Sequence, residues 1–84
     1  MRKISDIAVE IALGNQKIPN VAKPYLDAMG DLSTLGDSYG MDSGSRIVAT
    51  FLSNAGQWQG DMARRIKKEL NAMLKDFYAQ REAA

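Results

Sequence analysis

The chain has 84 residues, 11 of them lysine or arginine against 10 aspartates and glutamates, and it contains neither cysteine nor histidine. Disulfides, thiolate nucleophiles and cysteine-held metals are therefore excluded, as is the side chain that most often serves as general base or transition-metal ligand. A chain this short buries only about 60–65% of its unfolded surface, so a single domain over residues 1–84 with a modest core and frayed last residues is expected.

No apolar run approaches the roughly 20 residues of a membrane span. Arg2 and Lys3 at the N-terminus are followed by Asp6 and Glu10, which break any signal-peptide pattern. The expectation is a cytoplasmic protein without membrane contact. Charge is uneven along the chain. From Pro24 to Ser45 there are four acidic residues (Asp27, Asp31, Asp37, Asp42) and no basic ones. From Arg46 to Arg81 there are seven basic residues and three acidic, so the C-terminal part is the basic end of a dipolar molecule.

A first helix is expected over Asp6 to Leu13, with Ser5 as N-cap, a hydrophobic staple between Ile4 and Val9, and Gly14 as the stop. Gly14 to Asn20 reads as a connector. A second helix starts near Asn20 or Pro24, since proline is tolerated in a first helical turn. Its stripe is Tyr25, Leu26, Met29, Leu32 and Leu35, with Gly30 as an internal weak point. Gly36 to Ser45 holds three glycines and reads as a loop. A third helix covers Ser45 to Ala55, capped by Asp42 or Ser43, with Ile47, Val48, Phe51, Leu52 and Ala55 on its inner side. The fourth begins near Trp58 or Asp61 and runs to about Arg81. Met62, Ile66, Leu70, Met73 and Phe77 recur at four, four, three and four residues, the mark of an amphipathic helix. No two-residue alternation predicts a strand. The fold class is all-α, a compact bundle of three to four helices with a long amphipathic C-terminal helix. Helices three and four should form an antiparallel hairpin around Phe51, Leu52, Trp58, Ile66 and Leu70.

Gly36-Asp37-Ser38-Tyr39-Gly40 matches the G-x-S-x-G nucleophile elbow in letters only. That motif needs a preceding strand and a histidine base, and the chain supplies neither. Nor does any serine stand three residues before a lysine. No catalytic residue is assigned, and the chain is read as a non-enzyme. Asp37 and Asp42 do not make a calcium loop, because positions 39 and 41 are Tyr and Met and no closing glutamate follows. They fit better as caps, so neither metal nor other cofactor is expected.

Tyr39 and Met41 in this polar loop either fold back on the core, the more frequent outcome, or stand out as contacts for a partner. With Asp37 and Asp42 they form the candidate partner-binding set. Arg64, Arg65, Lys67, Lys68 and Lys75 form a second one, a face for nucleic acid or an acidic partner. On the helical wheel Arg64, Lys68 and Lys75 lie almost opposite the apolar stripe, with Glu69 and Asp76 at the flank. The plain alternative is an ordinary solvated face. Groove reading by a helix-turn-helix is disfavoured, because Gln57, Trp58, Gln59 and Asp61 occupy the end that would enter DNA. Trp58 is placed to plug the core between two helices.

The stretch from Tyr25 to Leu74 carries Tyr25-Leu26-Asp27-Ala28-Met29, Asp42-Ser43 before Arg46-Ile47-Val48, Phe51-Leu52-Ser53-Asn54-Ala55 and Ala63-Arg64-Arg65-Ile66-Lys67-Lys68-Glu69-Leu70. It resembles short uncharacterised helical proteins encoded by bacteriophages and other mobile elements. The resemblance implies a protein of the bacterial host cytoplasm that binds and blocks a host or phage protein, as anti-CRISPR proteins do, and it transfers no site residue. The expected function is thus a stoichiometric binding protein of inhibitor or anti-defence type. The alternatives are nucleic-acid binding by the basic helix face and homo-oligomerisation through the overhanging end of helix four.

Overall fold

The structure, a computed structural model, describes residues 2–14 and 16–83, with side chains as far as Gln80. The frayed end expected of the last residues lies outside these described side chains. The elements are α1 (Ile4–Leu13), α2 (Lys23–Met29), β1 (Ser38–Tyr39), β2 (Asp42–Ser43), α3 (Gly44–Asn54) and α4 (Asp61–Ala83). The molecule is mainly helical, as expected, but the Gly36–Ser45 segment contains a short antiparallel hairpin that no alternation in the sequence announces.

Helix α1 buries Ile4, Ile7, Ala8 and Ile11, as its spacing predicts. Its start differs from expectation. Lys3 is the N-cap and makes no side-chain cap bond, while Ser5 lies inside the helix. The reason is tertiary: the Ile4 and Ser5 N–H groups donate to the Ser33 and Leu32 carbonyls at 3.1 and 2.8 Å. Those bonds satisfy donors that a capping side chain would otherwise have to reach. The Ile4–Val9 staple is absent as well, since Val9 is exposed while Ile4 is buried.

Helix α2 has Pro24 in its first turn and ends at Gly30, whose N–H closes on the Leu26 and Asp27 carbonyls. The predicted stripe outlives the helix. Leu32 and Leu35 lie beyond it, in the turn that follows, yet both are buried. That turn is held by Asp37, whose carboxylate accepts from the Ser33 and Thr34 N–H groups at 2.8 and 3.1 Å. These bonds hold the Asp37 carboxyl below the usual aspartate range.

Ser38 pairs with Ser43 and Tyr39 with Asp42, leaving Gly40 and Met41 as a two-residue loop. Gly40 takes φ +62°, the left-handed backbone that tight hairpin turns require and glycine supplies at low cost. The hairpin leads directly into α3, where the Ser43 hydroxyl accepts from the Arg46 N–H at 3.3 Å, one of the two predicted caps. Helix α3 packs on α2, its most extensive helix contact, and on α4.

Ile47, Val48, Phe51, Ala55, Trp58, Ile66 and Leu70 lie in the buried core, with Leu52 packed half-buried against it. Trp58 is the predicted plug. Its ring meets Phe51 edge-on at 6.0 Å, and its indole N–H donates to Gln16 Oε1 at 2.9 Å.

A chain of charges clips the N-terminal segment to the last helix. Arg2 places its fork on Glu69, with Nη2 at 2.5 Å and Nε at 2.9 Å, and its Nη1 at 2.5 Å from Glu10. Arg65 donates to the other oxygen of Glu10. Hydrogen bonds from Arg65 and then Arg2 hold the Glu10 carboxyl below its ordinary value, and Arg2 does the same for Glu69. A depressed carboxylate contributes stability that is present above the unfolded value of about 4.3 and is lost as pH falls through the lower folded value. The thermal denaturation midpoint is therefore expected to hold from about pH 7 down to about pH 5 and to drop as the pH falls on toward about 3. The double variant Glu10→Gln, Glu69→Gln should lose less over the same interval. An equal loss in the variant would show that the acid sensitivity comes from elsewhere.

Candidate functional site

The described residues present three surfaces where function could reside. The first is the hairpin. Both its strands are exposed. Tyr39 is 45% exposed and Met41 fully so, the most exposed large apolar side chain among the described residues. The expectation that they fold back is therefore corrected. The two-residue turn holds Met41 at the tip, away from the core that Leu35 and Ile47 enter on either side. Asp42, across from Tyr39, has the Arg46 guanidinium at 3.9 Å on the exposed side of α3. Asp37 is not at the tip at all, since its carboxylate is occupied by the 33–37 turn. Of the four residues predicted for this set, the fold brings Tyr39, Met41 and Asp42 together and gives Asp37 a structural task.

The second surface is the polar side of α4. Arg64, Lys68 and Lys75 are exposed as the wheel predicts, but the five cations are not equivalent. Arg64 pairs with Asp61 on its own helix, and Arg65 with Glu10. Lys67 donates to the Trp58 carbonyl at 2.5 Å and stands 5.8 Å from the centre of the Trp58 ring. Among the described residues Lys68 and Lys75 have no ion-pair partner. A face that read as five positive charges in sequence thus holds three already engaged with carboxylate or carbonyl oxygen. The carboxylates of Asp61 and Glu10 weaken the field it projects toward a phosphate backbone, while Lys67 keeps its charge.

The third is an open cleft of about 410 Å³ between Lys3, the 33–36 turn and the last turns of α4. Leu35, Met73 and Phe77 give it an apolar floor, and Asp76 and Gln80 stand on its rim, joined by a hydrogen bond of 3.1 Å. Its volume lies within the range of small-molecule sites. No buried side-chain polar atom lacking a partner is found among the described residues. Nothing in the sequence pattern marks this cleft, because its walls come from three distant segments whose juxtaposition only the fold creates.

Among the described residues no group of three or more acidic side chains is placed to share a metal ion. No helix is long and apolar enough to cross a membrane. No protein-family model matches the sequence, and comparison with curated proteins and with solved structures returns no match.

Proposed function

We propose that the protein is a small non-enzymatic binding protein that acts stoichiometrically on a macromolecular partner and grips it with the tip of the β1–β2 hairpin. The observation that carries this reading is the exposure of Tyr39 and Met41 on a turn whose backbone is already hydrogen-bonded. An apolar pair held on an ordered support loses little conformational freedom when a partner covers it, which is what makes exposed aromatic and thioether side chains effective anchors. The absence of histidine and cysteine from the sequence supports a role that needs no chemistry. A mobile-element origin and an inhibitor or anti-defence role, of the kind anti-CRISPR proteins play, belong to this proposal through the sequence resemblance alone.

A second reading, nucleic-acid binding, draws on one specific observation, that Lys68 and Lys75 on the exposed side of α4 have no ion-pair partner among the described residues. One experiment separates the two: affinity capture from bacterial extract on immobilised protein, with and without nuclease. The expected result is a protein partner that survives nuclease, is lost with Tyr39→Ala, Met41→Asp, and is kept with Lys68→Glu, Lys75→Glu. Capture that disappears with nuclease and with the lysine variant would establish the second reading and overturn the first. Sustained turnover of any substrate by repurified protein would overturn both.

A further inference from the structure

We propose that Met41 is a redox modification site, at which a hydroperoxide converts the hairpin tip from an apolar to a polar surface; this rests on the reading of the hairpin as the grip. The four methionines with described side chains differ sharply in access. Met29 is fully buried and Met73 nearly so, each inside the core. Met62 is half-buried and turns its sulfur and terminal methyl toward Gly14, where a Cβ would lie 2.9 and 2.8 Å from them. Met41 alone is fully exposed. Thioether oxidation needs an oxidant to reach the sulfur lone pair, so access decides the site.

The step balances without further reactants. A sulfur lone pair attacks the terminal oxygen of the hydroperoxide, the O–O bond breaks, and the displaced oxygen leaves as water or alcohol after taking up a proton. Sulfur is oxidised by two electrons and the peroxide is reduced by two. The product, a sulfoxide, is polar and a strong hydrogen-bond acceptor where a flexible apolar group stood.

At Met29 that change would disrupt the core, whereas at Met41 the fold has no stake in the side chain. The hairpin is held by the Ser38–Ser43 and Tyr39–Asp42 pairs, by the Gly44 N–H donating to the Asp37 carbonyl at 2.6 Å and by the backbone of Gly40. None of these uses the thioether. Oxidation therefore alters what a partner meets and leaves the scaffold unchanged.

The test exposes the folded chain to hydrogen peroxide at neutral pH and follows each methionine by peptide mapping. Met41 is expected to oxidise about tenfold faster than Met29 and Met73, and faster than Met62. The singly oxidised protein should keep its helical circular dichroism and elute earlier from a hydrophobic-interaction column. In Met41→Leu, brief peroxide treatment should leave that elution unchanged, which assigns the shift to this sulfur. Equal rates at Met29 and Met41 would overturn the proposal, as would loss of helical signal on single oxidation or an unshifted elution. The oxidised protein used as bait in the capture experiment is expected to lose the partner. Retention of a hairpin-dependent partner would refute the switch. If even reduced protein captures no partner while Met41 oxidises selectively, the binding reading fails and the modification site stands.

Discussion

Replacing Trp58 by alanine is expected to lower stability by about 3–5 kcal/mol, the usual cost of emptying a buried aromatic site. Three separate losses add up there. The ring is 1% exposed, so its removal leaves a cavity beside Phe51. The Gln16 amide oxygen loses the indole N–H that it accepts from, and a partly buried acceptor is left without that donor. The ammonium of Lys67 also loses the ring it stands over. A chain of this length has a total stability of only roughly 4–13 kcal/mol, so the variant should be largely unfolded at physiological temperature or melt more than about 12 °C lower. Trp58→Phe keeps most of the apolar volume and should cost about half as much. Thermal melts followed by circular dichroism check both. An alanine variant within about 1 kcal/mol of the parent would mean that the plug carries no such weight.

Gly44→Ala is the second substitution expected to act strongly, at about 2–3 kcal/mol, although it adds a single methyl group. A Cβ at this position would lie 2.8 Å from the Thr34 carbonyl oxygen, 3.0 Å from that of Leu35 and 3.2 Å from that of Asp37. All three are backbone atoms, so no side chain can swing aside to make room. The same approach brings the Gly44 and Ser45 N–H groups to the Asp37 and Leu35 carbonyls at 2.6 and 2.9 Å, and these bonds must stretch if the turn is pushed away. Gly56→Ala is the control, because a Cβ there meets nothing within 4 Å. It should be neutral or stabilise by up to about 1 kcal/mol. Chemical denaturation of both variants decides the matter: equal stabilities would refute the close-packing argument.

Gly44 also shows where the sequence stops being readable. Its glycine requirement comes from Thr34, Leu35 and Asp37, a contact that no local propensity encodes. The helices were legible because each repeats its apolar residues at helical spacing; Ile47, Val48, Phe51 and Ala55 are buried as that spacing demands. The start of α1 is not legible locally because Ser5 is a good cap in sequence, while the carbonyls of Leu32 and Ser33 take over that task from a distance. The hairpin is not legible because two-residue strands are too short to show alternation, and its signal lies instead in Gly40 at the turn. The candidate site was half legible. Composition singled out Tyr39 and Met41, but only the hairpin geometry shows that they point outward. On the basic face, by contrast, two of the five charges are paired with Asp61 and Glu10 and Lys67 is tied to the Trp58 carbonyl, and of these contacts only the Asp61–Arg64 spacing is visible on a helical wheel.

The turn from Leu32 to Asp37 has one more consequence. It receives the first N–H groups of α1 on the Leu32 and Ser33 carbonyls and those of α3 on the Leu35 and Asp37 carbonyls. Two helices that are 30 residues apart in the chain thus share one socket. Neither start can be sealed from solvent by its own side chains alone, because the partners of both lie in a turn that itself depends on Asp37. Partial opening of either helix leaves the socket half empty, which weakens the other. Such coupling favours a single all-or-none transition over stepwise fraying. In a chain with so small a core, this shared socket lets short, individually marginal helices melt as one body.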